Sequence, residues 1–318
     1  MNIEYVAPLQ RGWERMRRTL FEPFDLGKWL VLAFSLWLAR LANGGGGGGG
    51  KFNLGEGPDL GAVEDAISDA WSTLLEHAIW IPLIVLGVLV LVAVIVLLVW
   101  ISSRGRFIFL DNVVHNRAAI VEPWKRFRHL GDSLFLWRVC FGLVCVGVVV
   151  LVLLAFLAPA IASASLDALK GLSIAAIALG VLLAIAFGLA VALVSLFLDS
   201  FVVPVMYRYN QSATAAWRAF LPWLKQYPAQ FILYALFVFV LLLVLGVASV
   251  LVCAFTCCLA FCVPFLGSYI LAVVLLPLWV AYRAFTIEFL AQLDPGFDLF
   301  AAAEREAVTA AGAEGGGQ

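Results

Sequence analysis

The chain has 318 residues, 64% of them hydrophobic and 13% charged, with a net charge of -1 and a mean hydropathy of +1.03. Soluble domains carry about 25% charged residues, so this composition excludes a water-soluble globule and predicts an integral membrane protein. A near-zero net charge supplies no global field toward nucleic acid.

In chain order, residues 1–26 form a basic-aromatic segment, "GWERMRRTLFEPFDLGKWL" around Trp13, followed by a first apolar run at 27–42. That run is short enough to resemble a signal-peptide core. The long, charge-mixed segment before it and the presence of Trp29, Trp37 and Arg40 favour a retained span. Residues 43–77 are an outside loop. They hold a glycine tether, "NGGGGGGGK", without the strand and helix that a phosphate loop requires. Beyond it, Leu60, Val63, Ile67, Trp71 and Leu75 recur at helical spacing opposite Asp65, Asp69 and Glu76, predicting an acidic amphipathic helix. A solvated face accounts for it more simply than a cation or partner site.

Further apolar runs lie at 78–101, 134–157, 172–198, 231–252 and 264–282. They are hydrophobic all round, which fits helices and not alternating barrel strands. The fold class is therefore all-α: a polytopic membrane protein with six transmembrane helices. With residues 102–133, 199–230 and the tail 283–318 inside, sixteen of the twenty Lys and Arg residues face the cytoplasm and only Lys51 and Lys170 lie outside. This asymmetry places both termini in the cytoplasm. The end of the tail is expected to be disordered.

Segments resembling the first precede the third and fifth spans, "PWKRFRHLGDSLFLW" at 123–137 and "AWRAFLPWLKQYPAQFILY" at 216–234. Each has a Trp, a basic neighbour and a bulky apolar residue three positions on (Met16, Phe127, Phe220). Such helices lie in the headgroup plane with their cations on anionic lipid. The interface candidates are Trp13, Arg15, Arg17, Arg18, Trp124, Lys125, Arg126, Arg128, Trp217, Arg218 and Lys225. The second and fourth spans end in "FLDNVV" and "FLDSFVV", followed by Asn116 and Asn210, and the sixth exits through "FLAQLD". Together these features predict three repeated units, each an interfacial helix and a helical hairpin.

The stretches "PFDLGKWLVLAF", "FLDSFVVPVMYR" and "AYRAFTIEFLAQL", with the Trp-basic segments, resemble a large uncharacterised family of bacterial six-helix integral membrane proteins. More loosely, the chain is similar to the membrane domain fused to some glycerophosphodiester phosphodiesterases. The resemblance implies the bacterial inner membrane and a helical fold. It carries no catalytic residues, and without the soluble catalytic barrel the phosphodiesterase activity does not transfer.

Chemical candidates are few. In "CAFTCCLAFC", Cys253, Cys257, Cys258 and Cys262 sit one helical turn apart in pairs, which allows packing, a disulfide or a soft metal site. Lacking CxxC spacing and nearby His or carboxylate, the cluster reads first as packing. Cys140 and Cys145 read as buried packing. Asp111 and His115, with Glu122 near, suit half a metal site or an acid–base pair, but an exposed loop explains them as well. Ionisable residues inside spans mark ion pathways, yet Arg40, Arg138 and Asp199 fall near the predicted span ends. Gly87, Gly147, Gly180 and Gly188 are candidates for close helix packing, and Pro277 for a kink. The expectation is an accessory protein organising lipid or partner proteins, with anionic inner-leaflet headgroups as partners and neither cofactor, nucleic acid nor enzymatic activity. The alternative is a permease or channel for an apolar or amphipathic solute.

Overall fold

The computed structural model describes Glu4 and residues 6–42, 80–163, 174–260, 264–294 and 297–315. The glycine tether and the acidic segment after it lie outside the described residues. Every regular element among the described residues is helical: α1 (Val6–Phe21), α2 (Leu26–Arg40), α3 (Trp80–Val114), α4 (Val121–Arg126), α5 (Arg128–Ser163) and α6 (Ile174–Phe197). A π-helical turn, Leu198–Val202, then leads into α7 (Val203–Tyr209), α8 (Ala213–Gln226), α9 (Pro228–Ala260), α10 (Pro264–Val274), α11 (Leu276–Leu293) and α12 (Leu299–Gly315).

Among the described residues, four stretches are long and apolar enough to cross a membrane: Ile81–Val114, Arg128–Ala155, Ala178–Tyr209 and Pro228–Val252. A fifth candidate is the pair Gly267–Val274 and Leu276–Leu293, bent by 61°. The first apolar run forms the 15-residue α2, whose N-terminus is capped by Asp25 accepting from the amides of Gly27 and Lys28. The protein is a multi-pass membrane protein, all-helical among the described residues.

The helices overrun the apolar runs. α3 continues thirteen residues past the predicted end at 101, and α5 starts at Arg128, six residues before 134. Hydropathy marks only where a helix is greasy. Here the helix continues because its later polar side chains find partners inside the protein. The tail likewise is largely helical: Asp298 accepts from the Ala301 amide at 3.0 Å, and the alanine-rich sequence beyond it propagates a helix.

The chain divides into two compact units. One comprises Gly47–Leu98 and Val139–Val191. None of its described side chains is buried, and leucine, valine and isoleucine dominate the exposed surface of Ile81–Leu97, as expected where lipid is the solvent. Gly87, Gly147 and Gly188 lie on such stretches, and a β-carbon added at any of them would have nothing within 4 Å. They do not mediate the close packing expected of them. Cys140 is exposed and Cys145 half-buried, so neither is the buried packing residue expected.

The other unit, Met1–Gly46, Val99–Arg138 and Ala192–Gln318, holds the core. At its centre, the ring of Phe201 on the π-turn lies 4.8–5.2 Å from the rings of Tyr234, Phe220 and Phe231. Met16, Phe127 and Phe220, the third-position residues of the basic-aromatic segments, are all buried in this core. Close packing occurs at other glycines. α1 crosses α11 at Gly12, where an added Cβ would meet the Phe285 nitrogen at 2.8 Å. α2 crosses α3 at Gly105, where it would meet the Ala39 nitrogen at 2.6 Å and the Leu38 carbonyl carbon at 2.7 Å.

Proline breaks are compensated by side chains. Pro277 has no N–H to offer the Val273 carbonyl one turn back, and the helix breaks at Leu275. The Trp29 indole donates to that carbonyl at 3.1 Å. At the π-turn, the Val203 amide donates five residues back to Leu198, and Pro204 has no amide to donate, so the Asp199 carbonyl has no helical donor. Arg283 Nη1 donates to it instead, at 2.6 Å.

Gly105→Ala tests the α2–α3 crossing. The clash is with backbone, which cannot rotate away, so the variant should lose about 1–3 kcal/mol of stability, measured by denaturation in detergent. Gly147→Ala, in open space, should be neutral.

Candidate functional site: two arginine-lined pockets

The first site is built on the end of α3. Asp111 is fully buried, contrary to the exposed loop expected of it. Its carboxylate accepts from Arg117 Nη2 at 2.8 Å and from the Tyr207 hydroxyl at 2.8 Å, and His115 Nδ1 lies 3.2 Å away. Beside it, the Asn112 side chain accepts from the Ala119 amide, and Asn116 turns the chain in the left-handed conformation, with φ 52°. These contacts fold the segment after α3 back on itself. A cleft of about 460 Å³ opens next to it, lined by Arg15, Arg18, Arg117, Arg126 and His115, with Glu304 and Glu306 at its edge. Arg15 and Arg117 are held by carboxylates, so Arg18 and Arg126, which form no ion pair among the described residues, make this cleft anion-receptive.

The second site is a pocket of about 300 Å³ whose polar lining is Arg40, Arg106, Asp199, Ser195, Tyr282 and Arg283. Arg106 pairs with Asp199, Arg283 bonds the Asp199 carbonyl, and the Arg40 guanidinium stacks 3.9 Å above the Trp279 ring. Arg106, Asp199 and Arg283 lie within the candidate spans Ile81–Val114, Ala178–Tyr209 and Leu276–Leu293. Arg40 and Asp199, expected near span ends, are thus joined by Arg106 and Arg283 in one polar cluster. Arg106 and Arg283 escape a hydropathy reading because each sits beyond the run that hydropathy delimits. The available signal was the lone Asp in each "FLD" stretch, since a carboxylate in an apolar helix requires a cationic partner.

The interface candidates separate by environment. Arg15 is drawn into the protein, paired with Glu288 and Glu304 at 3.3 Å each, and Arg17 pairs with Glu22. Arg18 and Arg126 line the first cleft. Trp124 is half-buried against Trp100, and Trp217 stacks on Trp137. Both pack on protein more than the sequence implied. Trp13, Lys125, Arg128, Arg218 and Lys225 are exposed, with Arg128 3.9 Å from Asp132. The side chains of Cys253, Cys257 and Cys258, and the whole of Cys262, lie outside the described residues. Among the described residues, no group of three His, Cys, Asp or Glu side chains is placed to hold a metal.

His115 gives the first cleft a pH dependence. Its hydrogen bond to Asp111 raises the imidazole above its ordinary value, against the opposing effects of burial and Arg117. A raised folded-state value favours the protonated form. The resulting stability is fully present below pH ~6.5 and is lost as pH rises through the raised value. The thermal midpoint in detergent should therefore fall between about pH 6 and 8.5, and His115→Gln should flatten that slope. An equal slope in the variant would assign the dependence to other groups.

No curated protein and no solved structure matches the chain. The model of a family of unknown function, DUF7544, matches residues 4–300, and the chain belongs to that family.

Proposed function

We propose that the protein is a non-enzymatic accessory component of the bacterial inner membrane that organises anionic lipid at the cytoplasmic leaflet. It crosses the bilayer six times with both termini inside. The observation that carries this reading is the first cleft. Its arginines come from residues 1–28 and 102–133, which the Lys/Arg asymmetry assigns to the cytoplasmic side. Phosphate-bearing headgroups are the abundant anions there.

Helix lengths agree with this placement. At 1.5 Å per residue, the 34-residue stretch Ile81–Val114 is about 51 Å long against a hydrocarbon core of ~30 Å, so one end must leave the apolar layer. Its exposed apolar face covers residues 81–97, and its charged, buried part follows.

Three repeated units are supported by matching polar contacts. Each inward helix carries one acid paired to arginine: Asp111 with Arg117, Asp199 with Arg106, and Glu288 with Arg11 and Arg15. Asn116 and Asn210 turn the chain in the same left-handed conformation, φ 52° and 50°. The spacing from acid to asparagine differs, five residues against eleven, because the second unit inserts the π-turn and α7.

Orientation is tested by single cysteines in a cysteine-free background. Positions 72 and 165 should label from outside, and positions 122 and 211 only after permeabilisation. External labelling at 122 would overturn the topology. The lipid role is tested with the double variant Arg18→Gln, Arg126→Gln, which spares the ion-paired Arg15 and Arg117. At ~1 kcal/mol per cation before screening, anionic-lipid affinity should fall roughly tenfold, measured as phosphatidylglycerol-dependent thermal stabilisation of the full chain. Unchanged stabilisation would remove the cleft from the lipid role.

A further inference from the structure

The second pocket holds two donors that nothing satisfies. Arg283 is 8% exposed, and its Nε is buried without a hydrogen-bond partner. The Trp279 Nε1 on the same pocket wall is likewise buried and unpartnered. Buried donors are almost always paired, and both of these belong to side chains that line one cavity. The charge around them has the same sense. The lining carries three guanidiniums, Arg40, Arg106 and Arg283, and one carboxylate, Asp199. The acceptor that Arg283 does use is a neutral carbonyl.

The remaining wall is apolar, with Leu36, Phe109, Leu196 and Leu242. Ala192 and Ser195 are exposed side chains on the rim, in a helix long and apolar enough to cross a membrane. We infer that this pocket binds one anionic amphiphile, its oxyacid head on the guanidiniums of Arg40 and Arg283 and its hydrocarbon chain along the apolar wall. A volume of about 300 Å³ accepts a headgroup and the start of a chain, at the lower limit of ligand pockets. Arg106 is held by Asp199 and sets the far side of the head site. The π-turn has a direct role, because it places the Asp199 carbonyl where Arg283 must reach it, which fixes the guanidinium at the pocket wall. Carboxylate and phosphodiester heads share the chemistry required, two or more acceptor oxygens and one negative charge.

The site is independent of the cytoplasmic lipid cleft. Equilibrium binding to the full chain in phosphatidylcholine nanodiscs is measured with oleate, dihexanoyl phosphatidylglycerol, dodecyltrimethylammonium and inorganic phosphate. At least one of the first two should bind with 1:1 stoichiometry, and which one binds identifies the head. Arg40→Gln and Arg283→Gln should each weaken it at least tenfold. Ala192→Trp, which fills the rim and leaves every charge in place, should block it even if the Arg283 variant fails to fold. Arg18→Gln with Arg126→Gln should leave it unchanged, so failure of the cleft and failure of this pocket are separately readable. The inference is overturned if neither anionic amphiphile binds, if the cation or inorganic phosphate binds equally well, or if Arg40→Gln and Ala192→Trp bind as the parent does.

Discussion

Everything in the packed unit depends on where Asp199 sits. Its carboxylate holds Arg106 of α3, and its carbonyl holds Arg283 of α11, so one residue ties three helices that are far apart in sequence. The cost of burying such groups is met only when each is paired. The register of α3, of the π-turn and of α11 is therefore constrained together. A one-residue slip of any of them would leave a guanidinium or a carboxylate without its partner. Apolar helix faces by themselves give no such register, since one leucine face packs on another almost equally well in several positions.

The same logic explains the irregular helices. A π-turn, Pro204 and Pro277 each remove a backbone bond, and such losses are normally avoided in apolar surroundings. Here the lost donors are replaced by specific side chains, Arg283 at Asp199 and Trp29 at Val273. Trp29 and Arg283 thus act as long-range substitutes for helical amides. Each break fixes a contact that a straight helix would not need, and this converts local irregularity into tertiary specificity.

The sequence was legible where one physical effect dominates. Lipid demands apolar surface, so Ile81–Leu97 announced itself as membrane-facing. Met16, Phe127 and Phe220 were found by spacing alone, although their role is to anchor the basic segments to the core and not to face lipid. Polar pairing was not legible, because it depends on which distant residues meet. Asp111 read as a loop residue, yet it is fully enclosed by Arg117, Tyr207 and His115. Glycine was misread for a related reason. Gly87 and Gly147 stand in apolar stretches of their helices with nothing within 4 Å, while Gly12, beside Arg11, and Gly105, between Arg104 and Arg106, make the close crossings.

The arginines carry two duties that sequence counting merges. Positive residues on the cytoplasmic side set orientation during insertion, and that effect counts every one of them alike. After folding they diverge. Arg11, Arg15, Arg104, Arg106 and Arg117 are paired with carboxylates of the same chain, which leaves less charge for lipid than the asymmetry implies. In the first cleft, Arg18 and Arg126 form no ion pair among the described residues, and they stand beside paired arginines that hold the wall rigid. Preorganisation of this kind would lower the entropy lost if an anion docked as proposed, because Arg15 and Arg117 are already ion-paired. The acids of this chain therefore decide which of its cations remain unpaired.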